Sequence, residues 1–151
     1  MQAGASASLL GLVFVSLSIN LSRIIGSRSL PNRALESLLV LFLNLLVSSL
    51  FLVPAQSVTA LATQIMCLVI ATWIAVTLLH ISSFRKKDRS MPRRAIASTV
   101  LGQLVSFSWA LAGVMLFAQG PGAIFWFIPA FLLSYFLGLL NAWVLLVEIN
   151  R

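Results

Sequence analysis

The chain has 151 residues, of which 60% are hydrophobic and only 9% are charged, and its mean hydropathy is +1.06. Soluble domains keep about a quarter of their residues charged, so this composition excludes a water-soluble globular protein and indicates a membrane protein. The formal net charge of +7 does not indicate nucleic acid, because the basic residues are confined to short stretches beside apolar runs. That distribution favours anionic lipid headgroups as partners.

Five apolar runs are long enough to cross the membrane hydrocarbon, which takes about 20 helical residues for roughly 30 Å. In chain order, the predicted helices lie near residues 5–25, 35–53, 59–84, 95–118 and 123–149. The links contain Gly26 and Pro31, then Pro54, then Pro92, then Gly120-Pro121-Gly122. Because each link is short, consecutive helices are expected to pack as antiparallel neighbours. The sequence predicts an all-α, polytopic membrane protein, a compact bundle of five transmembrane helices forming one domain over residues 1–151.

The first predicted helix is interpreted as a retained span, because Met1 to Ser8 lack the positive charge of a cleavable signal. The alternative is that this helix is removed as a signal, which leaves four helices in the same orientation. Inside the last predicted helix, Pro129 removes one backbone donor and is expected to bend the helix.

The basic residues predict the orientation of the helices. They flank the first link, crowd the third and end the chain: Arg23, Arg28 and Arg33; Arg85, Lys86, Lys87, Arg89, Arg93 and Arg94; and Arg151. With five spans, all three regions fall on one side, which the positive-inside rule assigns to the cytoplasm. The N-terminus is therefore predicted to lie outside and the C-terminus in the cytoplasm. The group at the third link is also predicted to bind anionic lipid headgroups.

Small residues recur at a spacing of four on several predicted helices, which places them on one helical face. Rows of this kind let neighbouring membrane helices approach closely. The rows are Ala3, Ala7 and Gly11; Thr63, Cys67, Ala71 and Ala75; Ser98, Gly102, Ser106 and Ala110; and Ala130, Ser134, Gly138 and Ala142. The last two rows belong to helices joined by a tight turn, so a close hairpin in which these rows meet is predicted.

Catalytic side chains are scarce, since the chain has one histidine, one cysteine and three acidic residues. His80 is interpreted as a capping or hydrogen-bonding group at an interface, and a haem would need a second axial ligand. The only lysines, Lys86 and Lys87, lie in a predicted loop, which excludes a Schiff base of the retinal-protein kind. No enzymatic activity, cofactor or metal site is predicted.

Two acids lie near the predicted cytoplasmic ends of their helices. Glu36 follows Arg33 by three residues and lies at about the depth of Arg23, and Glu148 precedes the C-terminal Arg151. Interfacial ion pairs are predicted for both acids. A proton relay is the alternative, and it is less favoured because neither acid lies at the midplane.

Four amides fall at similar predicted depths, roughly 8 to 14 Å from the cytoplasmic helix ends at 1.5 Å per residue. They are Asn20, Asn44, Gln103 and Asn141, with Ser106 and Ser134 nearby. Because an amide facing lipid is costly, these side chains are expected to point inward. One interpretation is a hydrogen-bond network that fixes helix register, and the other is a narrow polar path for an ion or small solute.

Three segments, GLVFVSLSINLSR at 11–23, LPNRALESL at 30–38 and NAWVLLVEI at 141–149, resemble parts of small hydrophobic bacterial membrane proteins of no assigned function. The resemblance implies a bacterial inner (plasma) membrane and carries over no catalytic or binding residue. The function predicted first is non-enzymatic and acts through helix contacts, as a homo-oligomer or an accessory subunit of a membrane complex. The alternative is a small channel or transporter for an ion or solute, lined by the Asn, Gln and Ser side chains.

Overall fold

A computed structural model describes residues 1–19, 21–26, 30–85 and 92–149 of the chain. Within these ranges, the side chains at 23, 25, 26, 30, 83–85, 92–96, 98 and 144–149 are not described. The elements are α1 (Gln2–Ile19), α2 (Leu21–Gly26), α3 (Leu30–Leu50), α4 (Val58–Arg85), α5 (Pro92–Gln119), a 3-10 helix (Gly120–Trp126) and α6 (Phe127–Ile149). The predicted all-α class is confirmed for the described residues.

Four stretches of the described chain are long and apolar enough to cross a membrane: Gln2–Ile19, Pro31–Leu50, Val58–Ser82 and Thr99–Trp143. The last covers 45 residues and runs from α5 through the 3-10 helix into α6. Large apolar side chains such as Phe107, Leu132 and Trp143 are exposed on the outside of the helices. In water such a surface would drive association, whereas lipid covers it without cost. The prediction of helices long and apolar enough to cross a membrane is confirmed for the described residues, whereas five spans and their orientation stay a prediction.

Four of the five prolines lie in the first turns of helices. Pro31 is the second residue of α3, Pro92 the first of α5, Pro121 the second of the 3-10 helix and Pro129 the third of α6. A proline there is well tolerated, because backbone N–H groups in the first turn have no intrahelical acceptor. The bend expected at Pro129 therefore has no basis, since α6 begins at Phe127 and Pro129 is not in its interior.

The helices α3, α4, α5 and α6 form a ring in which each contacts the next and α6 contacts α3. The start of α3 lies beside the end of α4, where Asn32 Nδ2 donates to the Leu79 carbonyl at 3.3 Å and to the Ser82 hydroxyl at 2.9 Å. Helix α1 packs against α3. It also reaches α6, because the Tyr135 hydroxyl lies 2.7 Å from Ser6 Oγ and 2.9 Å from Gln2 Oε1.

Aromatic side chains fill one half of the interior that α3, α4, α5 and α6 enclose. The fully buried Trp109 meets Phe131 and Phe127 edge-on, with centroids 5.0 and 6.0 Å apart, and Phe51 meets Phe127 at 5.2 Å. Phe131 also stacks on Tyr135. Edge-to-face pairs add about 0.5 to 1.5 kcal/mol each beyond the apolar area that they bury. We call these five residues the aromatic half of the bundle.

Candidate functional site

Glu36 and His80 are buried at the other end of the same interior. On α3, the spacing that buries Val40, Leu43 and Val47 continues backwards to Glu36, which is 3% exposed. On α4, His80 follows the buried Val76 by four residues and is 8% exposed. Each ionisable side chain thus lies on the inward face of its helix because the apolar residues of that face turn it inward.

The two side chains form a close pair. His80 Nε2 lies 3.3 Å from Glu36 Oε1, which is an ion-pair distance when the imidazole is protonated. The same two atoms are buried, and no hydrogen bond is completed between them. The contact is therefore a close pairing of a carboxylate oxygen with an imidazole nitrogen.

Gly102 of α5 closes the site from a third side. A Cβ atom at this position would lie 2.7 Å from Glu36 Oε1 and 2.8 Å from His80 Nε2, closer than real Cβ contacts allow. Glycine is required here because the polar ends of two side chains occupy the space of its missing side chain. The small-residue pattern singled out Gly102 as a helix contact, and its neighbours are this pair from α3 and α4.

The pairing of Glu36 with His80 was missed by sequence reasoning, which placed Glu36 at the interface with Arg33 or Arg23. Both residues were noted singly, but 44 positions separate them and no spacing rule joins them. The available signal was that each lies on the apolar face of its helix. Pairing with Arg33 stays a prediction, and the side chains of Arg23 and Glu148 lie outside the described residues.

Gln103 links α5 to α4. Its Oε1 accepts a hydrogen bond from Trp73 Nε1 at 2.8 Å, and its Nε2 donates to Thr77 Oγ1 at 3.3 Å. Both ends of the amide therefore have partners on one neighbouring helix. This arrangement matches the hydrogen-bond interpretation of the amides.

The two predicted serines bond within the bundle. Ser134 accepts from Trp109 Nε1 at 2.8 Å and donates to the Ala130 carbonyl at 2.7 Å, which satisfies the buried indole. Ser106 donates to the Gly102 carbonyl of its own helix at 3.0 Å. Each hydroxyl proton is therefore donated to a carbonyl one turn earlier on the same helix.

Asn44 and Asn141 are buried inside the bundle without full hydrogen bonding, and among the described amides Gln56, between α3 and α4, also has an unbonded buried oxygen. Asn44 is fully buried with neither Nδ2 nor Oδ1 bonded, and Asn141 is 4% exposed with Nδ2 unbonded. Buried polar atoms in native structures nearly always have a partner, often an ordered water. These two amides therefore mark positions where a water or another polar group fits.

The four amides do not form one layer. Leu41 lies against Gly138 and Phe51 against Phe127, so α3 and α6 run antiparallel in a fixed register. In that register, Asn44 lies at the level of Tyr135 and Asn141 lies at the level of Leu38. The two amides are therefore about 9 Å apart along the helix axis. The prediction of a common depth was wrong for this pair, because equal counts from helix ends ignore where antiparallel helices meet. Asn20 lies outside the described residues.

The described members of the small-residue rows on α5 and α6 are buried or half-buried, and their glycines face α3 and α4. An added Cβ at Gly138 would lie 3.2 Å from Leu41 of α3, and Gly102 faces the Glu36–His80 pair. Ala110 packs against the main core, and Ala142 packs against the cluster between α1 and α3. Between α5 and α6, Trp109 donates to Ser134 of the α6 row, so the two glycines do not supply the predicted contact between the rows.

The rows on α1 and α4 point out of the bundle. Thr63, Cys67 and Ala71 are exposed on α4, and Ala7 and Gly11 are exposed on α1. No atom lies within 4 Å of a Cβ built on Gly11. The chain itself therefore leaves these two rows unused.

The predicted lipid-binding residues cannot be placed by this structure. Lys86, Lys87 and Arg89 lie outside the described residues, and the same holds for the side chains of Arg85, Arg93 and Arg94.

Comparisons of the chain with protein-family models, with curated proteins and with solved structures found no match.

Proposed function

We propose that this chain is a non-enzymatic integral membrane protein that associates through its α4 surface with a second copy of itself. The observation that carries the proposal is the outward row Thr63, Cys67 and Ala71, because the same spacing is used for packing on α5 and α6. Membrane helices associate through close backbone approach, since lipid is as apolar as leucine and gives no hydrophobic driving force. An accessory role in a larger membrane complex is the other form of this function.

Five crossings, with the N-terminus outside, are part of the proposal. The 45-residue apolar stretch that joins α5 and α6 would be about 68 Å long as one helix, more than twice the hydrocarbon thickness. Two antiparallel crossings fit that length, and the positions of the Arg and Lys residues support the orientation. Cysteines at Gln56 and Gly120, in a Cys67→Ala background, are expected to react with an impermeant thiol reagent from outside. Labelling of a cysteine at Ser90 in intact cells would contradict the proposed orientation.

A bacterial inner membrane is the proposed location, supported by the resemblance of three segments to small bacterial membrane proteins. Anionic lipid headgroups are the proposed partners of the basic residues between α4 and α5, at about 1 kcal/mol per residue near the surface. The proposed α4 contact depends on neither the location nor the lipid partners.

Cys67 provides a direct test, because it is the only cysteine in the sequence and is exposed in the α4 row. Oxidation of native membranes with copper phenanthroline is expected to produce a covalent dimer through Cys67. Ala71→Leu should reduce the dimer at least several-fold, because a bulky group one turn along the row prevents backbone approach. The yield is read from a non-reducing gel.

Two controls make this test specific. Ala118→Leu introduces the same side chain at an exposed alanine of α5 and should leave the dimer yield unchanged. A cysteine moved to Leu132, which is 61% exposed on α6, in a Cys67→Ala background should give little dimer. Equal crosslinking from positions 67 and 132, or no effect of Ala71→Leu, would refute the α4 contact.

Transport of an ion or small solute is the second candidate function, and the unbonded buried amide of Asn44 favours it. A group of this kind inside a membrane bundle fits a site that a passing solute or water fills. The packed aromatic half argues against a permanently open pore. Purified protein in liposomes would show chloride or potassium flux above empty liposomes if the path exists, and Asn44→Asp would change its charge selectivity.

A further inference from the structure

We infer that Glu36 and His80 form an intramembrane proton-binding site in which the two side chains share one proton. The site goes beyond the proposed α4 contact and does not depend on it. Its ligand is the proton, because the chain brings together one carboxylate and one imidazole there. Among the described residues, no group of three His, Cys, Asp or Glu side chains lies together as a metal site would need.

Charge balance inside the bundle selects a single shared proton. With one proton, the pair is neutral overall, whether the proton is on the imidazole beside a carboxylate or on the carboxyl beside a neutral imidazole. With none, the buried pair carries a net negative charge, and with two it carries a net positive charge. A net charge in a low-dielectric interior is costly, so the one-proton state is favoured. The proton belongs to the pair and not to either residue alone.

Unbonded polar atoms lie at this end of the bundle. Glu36 Oε1 and His80 Nε2 are buried 3.3 Å apart without a completed hydrogen bond. Asn141 of α6 lies within about 3 Å of the level of Glu36 along the helix axis and has an unbonded Nδ2. The fourth helix of the ring thus has an uncharged, unbonded donor at the level of the pair.

Few charged groups face the pair from the helices packed around it. Arg33 lies one turn before Glu36 on α3 and is half-buried. The remaining charged residues at these helix ends have side chains outside the described residues: Arg23 on α2, Arg85 on α4, Arg93 and Arg94 on α5, and Glu148 on α6. The test therefore reads Glu36 and His80 directly and does not rely on a bulk pH effect.

The sequence contains one histidine, so histidine labelled with ¹⁵N reports on His80 alone. Protein in lipid nanodiscs is examined at about pH 7 by ¹⁵N NMR and by infrared spectroscopy of carboxyl groups. We expect the imidazole signal and the Glu36 carboxyl band, identified by its loss in Glu36→Gln, to show together one proton on the pair: an imidazolium beside a carboxylate, or a neutral imidazole beside a carboxylic acid. His80→Gln should alter the Glu36 band, and Glu36→Gln should alter the imidazole response.

A substitution at Gly102 tests the site while both ionisable side chains are kept. Gly102→Ala places a methyl group against both Oε1 and Nε2 and should displace both spectroscopic signals at fixed pH. Gly113→Ala is the matched control on α5, because its methyl group meets the flexible side chain of Met66 and should leave both signals in place. Three results would each overturn the proposal: a carboxylate beside a neutral imidazole, a carboxylic acid beside an imidazolium, or wild-type signals in Gly102→Ala.

Discussion

The aromatic half and the polar end of the ring occupy one interior and are built differently. The indole N–H of Trp109 donates to Ser134 and Ser134 donates to the Ala130 carbonyl, so these two side chains are satisfied, although Asn44 at a similar level is not. Glu36 Oε1 and His80 Nε2 are ionisable atoms buried without a completed hydrogen bond. A buried ion pair often contributes less stability than apolar side chains of the same volume. We therefore expect the aromatic half to contribute more to the stability of the bundle than the Glu36–His80 pair does.

Trp109→Ala is expected to have the largest effect on stability, since it removes the fully buried centre of the aromatic half. The loss in free energy of unfolding should be about 3 to 5 kcal/mol, as for other large-to-small core substitutions. Unfolding by increasing SDS in mixed micelles measures it. Phe107→Ala, on the same helix but 61% exposed, should change stability far less. Equal losses would mean that the aromatic half is not the stabilising core.

His80→Leu should cost about 3 kcal/mol, because it leaves the Glu36 carboxylate buried without its partner. Combining it with Glu36→Met should recover most of that loss, since the interior then contains neither charge. The same SDS titration, applied to both single variants and the combination, forms a double-mutant cycle. Additive losses would show that the two side chains are not coupled and would remove the contrast between the two ends.

Asn44→Leu and Gln103→Leu should have small effects of opposite sign. Replacing Asn44 removes two buried atoms that have no hydrogen bond and should raise stability by up to about 1 kcal/mol. Replacing Gln103 leaves Trp73 Nε1 without its acceptor and should lower stability by about 0.6 kcal/mol. If Asn44→Leu is also destabilising, an ordered water or another group is bonded to that amide.

Much of the helix placement followed from hydropathy and proline positions. The predicted helix at 59–84 differs from α4 by one residue at each end, because Pro54 and the basic residues limit an uninterrupted apolar run. The start of α3 was placed five residues late, because Pro31 was interpreted as a breaker when it occupies the first turn. Proline is compatible both with a break between helices and with the first turn of a helix, so the sequence alone did not decide where α3 begins.

The candidate site was harder to predict than the helices. The sequence indicated that Gln103 and Ser134 point inward, since amides and hydroxyls avoid lipid. It could not show that Glu36 meets His80, because the contact depends on the register between α3 and α4. The same register separates Asn44 from Asn141. Counting from helix ends assumes that all ends are level, and side-chain packing such as Leu41 against Gly138 sets the actual offset.

The hydrogen bonds from Tyr135 to α1 constrain the order in which the protein can assemble during synthesis. Tyr135 follows Ser6 by 129 residues, so it is synthesised after α1, α3, α4 and α5. Until α6 has been made, the buried hydroxyl of Ser6 and the side chain of Gln2 lack this partner, although α1 can already lie against α3. The final docking of α1 therefore waits for α6, and a chain truncated before residue 135 would expose an incompletely docked α1 to membrane quality control.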